Sequence, residues 1–328
     1  MSENESITYG RKIFFINPPL SVETIILDKL HNEQYDAHVI KDYRYAKSVL
    51  RMFPDSICFT FIDDILSMNG WYNFLKSFEY DDTVKSVYMA AISSKIKPAD
   101  KDRFIASANV PGGFVTLGGP VSEVFDNIQE VIHKVGAKGR RKCVRLDCDN
   151  ETDISGYVAH ELFLYEFNIQ SLSKVAFICT FPTKTELHLE EGQVFTNVCL
   201  NIGRRTYVCS SKVFKTFVKG DLRVVIFTII GSTVEPSLSN LEKVIWQKIT
   251  EQFNNLINSL PIDAEEYARE IPIPKNANNN LNEKESEVAV SNTVEAERKT
   301  EKSLAESNKS EEKPEVVEEK PEVVEEKP

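Results

Sequence analysis

The sequence predicts two folded domains of different class followed by a disordered acidic tail. The first is a doubly wound α/β domain with a parallel five-stranded sheet, and the second is an antiparallel β-barrel with a C-terminal helix. Between residues 12 and 138, five apolar strand-like runs alternate with helical patterns, which is typical of βαβ units. Between residues 139 and 260, short runs of β-branched and aromatic residues are separated by turn residues, with no crossover helix between them. The chain of 328 residues is long enough for both, since a domain usually has about 100–150 residues.

The α/β domain is expected at residues 12–138, after a flexible polar N-terminus at residues 1–11. Its third strand, residues 56–62, is a continuous apolar run, which is typical of a strand buried on both faces of a sheet. Its last helix, residues 122–135, carries apolar residues at spacings of three and four, so one amphipathic stripe faces the sheet. The expected strands are 13–16, 39–40, 56–62, 86–92 and 113–117, and the expected helices are 22–31, 43–52, 71–78, 98–107 and 122–135.

The β-barrel domain is expected at residues 139–260. An amphipathic helix from about residue 239 to residue 258 closes it, and Leu260-Pro261 ends this helix because proline cannot continue one. Residues 153–156 are interpreted as an ordinary turn. The candidate strands are 143–148, 162–168, 175–181, 194–202, 205–217 and 222–229.

The tail, residues 261–328, is expected to be disordered. From residue 275 onward it has no aromatic residue, and the sequence Lys-Pro-Glu-Val-Val-Glu-Glu occurs twice near its end. Such a segment cannot bury enough apolar surface to offset the entropy of ordering. From residue 275 it holds 15 acidic and nine basic side chains, so it supplies about half of the net charge of −11.

The composition excludes several classes of partner. The acidic chain repels phosphate at long range, so we expect no binding to nucleic acid and no membrane insertion, and an anionic ligand would need a local basic segment. No run of about 18 apolar residues occurs, and the first 12 residues are polar, which favours a cytoplasmic protein. The six cysteines include no Cys-x-x-Cys pair, so we expect reduced thiols and no metal site.

Polar residues at the strand ends carry a resemblance of the first domain to a known family. Asp63 and Asp64 follow the third strand, and Ser93 and Ser94 follow the fourth. With this order of elements, residues 12–138 resemble the receiver domain of response regulators. The resemblance implies a fold in which an Asp after the third strand accepts a phosphoryl group beside Mg²⁺.

The residues that would assist phosphorylation in that family are absent. The first strand ends at Asn17-Pro18-Pro19, where the family has an acidic pair for Mg²⁺, and Gly119-Pro120 stands where the family has Lys-Pro. Without these charges nothing neutralises an incoming phosphoryl group, and such a loss costs several kcal/mol of transition-state stabilisation. We therefore expect a pseudo-receiver used for packing or docking, with Asp63 and Asp64 as solvated turn or cap residues.

Three arginines stand where the interdomain linker meets the barrel. Arg140, Arg141 and Arg145 lie in the sequence Gly-Arg-Arg-Lys-Cys-Val-Arg, which starts at residue 139. An RxxxR pair that opens a β-barrel resembles the start of a PilZ domain, the bacterial receptor for cyclic di-GMP, and the resemblance covers about residues 139–258. It implies that Arg141 and Arg145 hold phosphate and guanine while Arg140 assists. The chemistry is suitable, since phosphate oxygens and guanine O6 and N7 all accept bidentate hydrogen bonds from guanidinium groups.

The second motif of the family is only partly present. It reads Asp or Asn, any residue, Ser, two residues, Gly. Ser171 matches the serine, so we expect it to give the ligand a minor hydrogen bond, but Ile169 stands at the Asp or Asn position unless Asn168 shifts register. Lys174 stands at the glycine position. A lysine in a left-handed turn costs on the order of 1 kcal/mol relative to glycine, so we expect a different turn.

The sequence thus predicts a bacterial signalling adaptor that is not an enzyme. No phosphate-binding loop, nucleophile elbow or metalloprotease motif is present, and His160 has no second histidine or nucleophile beside it in the sequence. Cyclic di-GMP at the arginine linker would reorient the two domains and transmit this change to a protein partner. The resemblance to PilZ proteins implies a role in motility control. The alternative is a degenerate scaffold that binds no ligand and acts only through protein contacts.

Overall fold

The computed structural model of this chain describes residues 10–108, 110–231, 238 and 240–263. These residues form a parallel sheet, an antiparallel barrel and a helix that packs against both. The expected flexible N-terminus, apart from residues 10 and 11, and the tail from residue 264 onward lie outside the described residues.

The first sheet has five parallel strands in the order β2-β1-β3-β4-β5, as the sequence predicts. Its strands are β1 (Ile13–Ile16), β2 (Ala37–Ile40), β3 (Ile57–Phe61), β4 (Tyr88–Ser93) and β5 (Phe114–Thr116). The helices between them are α1 (Leu20–Asn32), α2 (Ala46–Met52), α3 (Met68–Lys76), α4 (Pro98–Ser107) and α5 (Val121–Lys134), with short 3₁₀ turns at Tyr43–Tyr45 and Ser77–Tyr80.

Helices cover both faces of this sheet. On one face α1 and α5 bury residues such as Ile26 and Ile128, and on the other α2, α3 and α4 bury Leu50, Trp71 and Phe104. Alternate residues of each strand enter the two cores, since successive side chains of a strand point to opposite faces. The doubly wound arrangement explains why the strands are apolar throughout.

The second sheet closes into an antiparallel barrel of six strands, β7 to β12, and the short strand β6 adds to β8. Its strands are β6 (Leu146–Asp147), β7 (Ile154–His160), β8 (Phe163–Leu172), β9 (Ala176–Pro182), β10 (Val194–Ile202), β11 (Arg205–Lys219) and β12 (Leu222–Gly231). The barrel interior is apolar and contains a group of contacting phenyl rings, Phe167, Phe177, Phe181 and Phe227. The strand predicted at residues 143–148 is much shorter, because only Leu146 and Asp147 pair with β8.

Strand β7 corrects the interpretation of residues 153–156 as a turn. Ile154 and Val158 point into the barrel core, and Gly156 lies between them on the same face. A Cβ at Gly156 would collide with the ring of Phe167 and lie 2.8 Å from the carbonyl oxygen of Cys199. The glycine that suggested a turn is therefore required for close packing across the strand.

The C-terminal helix α6 (Leu241–Ser259) belongs to both cores. Its first half buries Leu241, Ile245 and Ile249 against the barrel. Its second half buries Phe253 in the α/β core, where Leu256 also packs. The sequence assigned this helix to the barrel domain alone, because its apolar stripe does not reveal which surface each turn covers.

Two histidines of the α/β domain contact aromatic rings of α6. His31 stacks on Trp246 with ring centroids 3.8 Å apart, and its Nε2 donates to the carbonyl of Ala37 (2.8 Å). His38 contacts Phe253 at 4.4 Å. Burial lowers the pKa of both histidines, so the neutral ring is the form that packs against the helix.

The start of the segment expected to be disordered is attached to the α/β domain. The backbone N–H of Asp263 donates to the carbonyl of Arg44 (3.0 Å), and the Ser48 hydroxyl donates to the carbonyl of Pro261 (2.8 Å). Arg51 forms an ion pair with Asp263 at 3.0 Å. Residues 261–263, which the sequence assigned to the tail, therefore make contacts that depend on a surface distant in sequence.

Candidate functional site

The arginine linker runs directly into the barrel. Arg140 and Lys142 are exposed, whereas Arg141 and Arg145 are half-buried, and the latter two each interact within the chain. Arg145 immediately precedes β6. The linker therefore reaches the barrel surface with a cationic side chain one residue before the first strand pair.

The register of β6 places this linker beside Ser171. Leu146 pairs with Leu172, and Asp147 pairs with Ser171, in antiparallel register. The pairing continues with the backbone N–H of Cys148, which donates to the carbonyl of Gln170 (2.9 Å). Arg145 and Ser171 are 26 positions apart in sequence, and the β6–β8 register places Arg145 two residues from Asp147, the partner of Ser171.

A β-bulge in β8 changes which residues accompany Ser171. Pairing with β9 shifts register between Ile169 and Ser171, so Gln170 is the additional residue. Because of this extra residue, Asn168 and Ser171 both lie on the outer face, while Ile169 is 3% exposed in the barrel core. Asn168 therefore presents its side-chain amide on the same face as Ser171, in the shifted register that the sequence left open.

The outer face beside these residues is partly apolar. Across the strands, Ser171 pairs with Ile178, and Ile178 pairs with Ile226. In the neighbouring row Asn168 pairs with Thr180. Thr180 itself is only 5% exposed, so the outer patch is defined by the four accessible residues Asn168, Ser171, Ile178 and Ile226.

Lys174 lies in a tight turn that differs from the one a glycine would form. The backbone N–H of Ser173 donates to the carbonyl of Ala176 (2.8 Å), so Lys174 and Val175 form a two-residue hairpin loop. Lys174 is not among the described residues with positive φ, so it avoids the left-handed region. Its Nζ contacts Oε1 of Glu242 on α6 at 2.9 Å. The expectation of a different turn is confirmed.

Carboxylates follow the arginines closely. Asp147, Asp149 and Asp153 are exposed within eight residues of Arg145. A hydrogen bond from Lys248 of α6 lowers the pKa of Asp153, and the two groups are 2.8 Å apart. The positive electrostatic potential of the arginine linker is therefore felt only by groups in direct contact with it, because the adjacent carboxylates offset the positive charge at longer distance.

A second polar site lies at the carboxyl edge of the parallel sheet. The Ser94 hydroxyl donates to Oδ2 of Asp63 (2.6 Å), the Ser94 N–H donates to the same oxygen (2.7 Å), and the Ser93 hydroxyl donates to Oδ1. Burial opposes ionisation of Asp63, but these hydrogen bonds outweigh it and lower the pKa of the carboxyl. Asp63 is therefore not the solvated residue that the sequence suggested, because it links the ends of β3 and β4.

A cavity of about 200 Å³ adjoins this carboxylate. Asn17, Pro18 and Leu117 line it together with Asp64 and Lys95, whose Nζ is 3.3 Å from Oδ1 of Asp64. Asp64 is exposed, as expected for a turn residue. The cavity lies where β1 and β3 diverge to helices on opposite faces, which is the usual position of a crevice in an open α/β sheet.

Other expectations can be compared with the described part of the chain. All six cysteines are unpaired thiols. His160 contacts the ring of Phe195 at 5.6 Å. Among the described residues, no cluster of three histidine, cysteine or carboxylate side chains suits a metal ion, and no helix has the length and apolar character needed to cross a membrane.

Comparison with known proteins finds similarity only at the level of structure. No protein-family model and no curated protein matches the sequence. The PilZ domain of YcgR from Escherichia coli, solved with cyclic di-GMP, is similar with a TM-score of 0.30 and 14% identity, over 37% of this chain and 98% of that one. The K. pneumonia MrkH–cyclic di-GMP complex is similar with a TM-score of 0.33 and 16% identity, over 36% of this chain and 56% of that one. The Bacillus subtilis inhibitor of motility, MotI/DgrA, is similar with a TM-score of 0.29 and 13% identity, over 36% and 53%.

These matches span little more than half the length of MrkH and MotI. The similarity to PilZ domain proteins that the RxxxR pair indicated is found again, for about 37% of the chain. The resemblance of residues 12–138 to receiver domains stays a prediction, as does the exclusion of nucleic acid.

Proposed function

We propose that this chain is a signalling adaptor that binds cyclic di-GMP between the arginine linker and the outer patch. One observation carries the proposal. The β6–β8 register brings the end of the arginine linker, at Arg145, to the strand β8, on which the bulge at Gln170 puts Asn168 and Ser171 on one face. Cationic, amide and hydroxyl groups thereby surround a partly apolar surface, which is a common composition for a ligand site.

Each group has a suitable task in this proposal. Arg141 and Arg145 pair with the phosphates or the Hoogsteen edge of a guanine. Arg140 is exposed to solvent and adds positive charge near the ligand. The Asn168 amide offers both a donor and an acceptor to a base edge, and Ser171 offers a hydroxyl. Both arginines already interact within the chain, so binding requires them to exchange partners.

Helix α6 provides a route from this site to the α/β domain. Lys174, three residues after Ser171, contacts Glu242 of α6, and Glu242 also accepts a hydrogen bond from Gln34 of the α/β domain. Gln252 of the same helix donates to the carbonyl of Asp147 (2.7 Å). A phosphate that attracts Lys174 competes with Glu242, so ligand binding alters contacts at the domain junction and the surface offered to a protein partner.

The test is isothermal titration of cyclic di-GMP into the full chain and into matched variants. Arg141→Ala/Arg145→Ala should abolish binding, while Arg204→Ala/Arg205→Ala, which removes two exposed arginines from another turn, should leave it unchanged. Thermal unfolding must show that both variants are folded. If no heat of binding is measured with ligand at about 100 µM, the binding free energy is smaller in magnitude than about 6 kcal/mol. That result would contradict the proposal.

A scaffold without ligand is the second candidate, and specific contacts favour it. Ile169 is in the core, Lys174 is committed to Glu242, and Asp147 places a carboxylate directly opposite Ser171. The first removes a side chain that could contact the ligand, and the other two reduce the attraction of the site for an anion. An intact fold without measurable binding would assign the chain to this class, whose activity depends only on protein contacts.

A further inference from the structure

Exposed apolar side chains are concentrated at one end of the barrel. The β7–β8 hairpin presents three in succession, and Leu162 at its tip is 96% exposed. Scattered exposed apolar residues are normal, but consecutive ones at a hairpin tip indicate an interaction surface. The side chains concerned are Leu162, Phe163 and Leu164 of the β7–β8 hairpin and Phe214, Phe217, Val218 and Leu222 of the β11–β12 hairpin.

Strand pairing places both hairpin tips at the same end of the barrel, opposite the arginine linker. His160 pairs with Phe163 where β7 turns into β8, and Lys219 pairs with Leu222 where β11 turns into β12. Leu222 in turn pairs with Pro182, the last residue of β9. Ser171 lies toward the opposite end, where β9 begins.

The two tips carry opposite charge. The β7–β8 hairpin has exposed Glu161 and Glu166 and no lysine or arginine, so we call it the acidic tip. The β11–β12 hairpin has exposed Lys212, Lys215 and Lys219, against a single carboxylate, Asp221, in its turn, so we call it the basic tip. Glu190 and Glu191 lie only at its base, where Gly192 bonds to Val213 (2.8 Å).

Both hairpins also have an open strand edge. β10 and the residues before it pair with β11 only as far as Val213, so from Phe214 onward β11 pairs with β12 alone within the described residues. In the same part of the chain, β8 pairs with β9 only from Asn168 onward. Unpaired edges beside apolar side chains are a template for association.

We propose that a second copy of this chain docks at this end, with the acidic tip of each copy against the basic tip of the other. In a dimer with a twofold axis across the barrel end, the contact between an acidic tip and a basic tip forms twice. Such an interface is isologous, because both copies contribute the same surface to it. The apolar side chains form the centre of the contact, and the glutamates and lysines form its rim. The inference is independent of ligand binding, since the arginine linker lies at the opposite end.

The test is sedimentation equilibrium of the full chain up to about 100 µM, a range that detects weak dimers. A dimer is expected, and Leu162→Ser/Phe163→Ser should weaken it by at least about tenfold. Two charge variants make the test specific. Glu161→Lys/Glu166→Lys makes both tips basic, and Lys215→Glu/Lys219→Glu makes both acidic, so each alone should be monomeric.

A mixture of the two charge variants in equal amounts should restore the dimer, because each then meets its complement. These four residues are exposed, so folding should be retained, and circular dichroism checks it. Three results would overturn the proposal. The unaltered chain could be monomeric at all concentrations, the charge variants could each still form the dimer, or the mixture of the two charge variants could stay monomeric. Sedimentation of the chain with phosphatidylcholine vesicles that Leu162→Ser/Phe163→Ser abolishes would also overturn it and would assign the tips to a lipid surface.

Discussion

Phe253→Ala should detach the second half of α6 from the α/β domain. Phe253 is 6% exposed, and its ring lies 5.6 Å from that of Phe14 and 4.4 Å from that of His38. It is the residue of α6 most enclosed by the α/β core. Its truncation leaves a cavity that the rigid strand beneath it cannot fill.

The expected loss in the free energy of unfolding is several kcal/mol. A buried phenyl ring removes about 150 Å² from water, which at ~25 cal/mol per Å² gives about 4 kcal/mol. Measured Phe→Ala substitutions in cores cost roughly 3–5 kcal/mol, in agreement with this value. The loss should fall on the α/β domain and its junction, since Phe253 belongs to the α/β core.

The two tryptophans provide a direct assay. Trp71 lies in the α/β core and Trp246 stacks on His31, so in a Trp71→Phe background the fluorescence reports only the docking of α6. Phe253→Ala should shift Trp246 emission to the red and lower the urea midpoint. Asn254→Ala, an exposed neighbour on the same helix, is the control and should change neither. A loss under about 1 kcal/mol with unchanged emission would refute the assignment of α6 to both domains.

Three further predictions concern the barrel and the junction. Gly156→Ala should destabilise the barrel by more than about 2 kcal/mol in urea unfolding, because its Cβ has no room beside Phe167, whereas Gly231→Ala, with open space around it, should change stability by under about 0.5 kcal/mol. Ile169→Asn supplies the Asn of the second PilZ motif but puts the new amide in the barrel core, so it should lower the unfolding temperature and leave the titrated affinity for cyclic di-GMP no better; tighter binding would contradict the assigned register. Burial lowers the pKa of His31 and His38, the two histidines that contact α6, below the ordinary value of 6.5. The unfolded chain therefore binds more protons there, so the urea midpoint should be constant above about pH 7 and fall progressively below about pH 6.5; a midpoint that is flat down to about pH 5 would contradict this prediction.

The residues of the proposed ligand site were only partly accessible from the sequence. Arg141, Arg145 and Ser171 are recognisable because their spacing is a linear pattern, and the β6–β8 pairing places Arg145 two residues from Asp147, which pairs with Ser171. Asn168 could not be assigned, because a bulge is decided by pairing with β9 and not by the residues of β8 alone. The one available signal was the extra residue between Asn168 and Ser171.

The sequence alone determined the class and order of the elements. Apolar runs without alternation, as in residues 56–62, require burial on both faces and hence a parallel sheet covered by helices. Short runs of β-branched and aromatic residues without crossover helices indicate an antiparallel sheet, and both predictions are confirmed. These features follow from local periodicity, which each segment carries by itself.

Only the tertiary structure decided which surfaces meet. β7 contains Gly156, whose small size makes sense only once Phe167 lies across from it. The apolar stripe of α6 looks continuous in sequence, but its turns are divided between the barrel and the α/β core. The reason is physical: periodicity specifies that a side chain is buried, whereas the partner that buries it comes from elsewhere in the chain, and its identity depends on packing between distant residues.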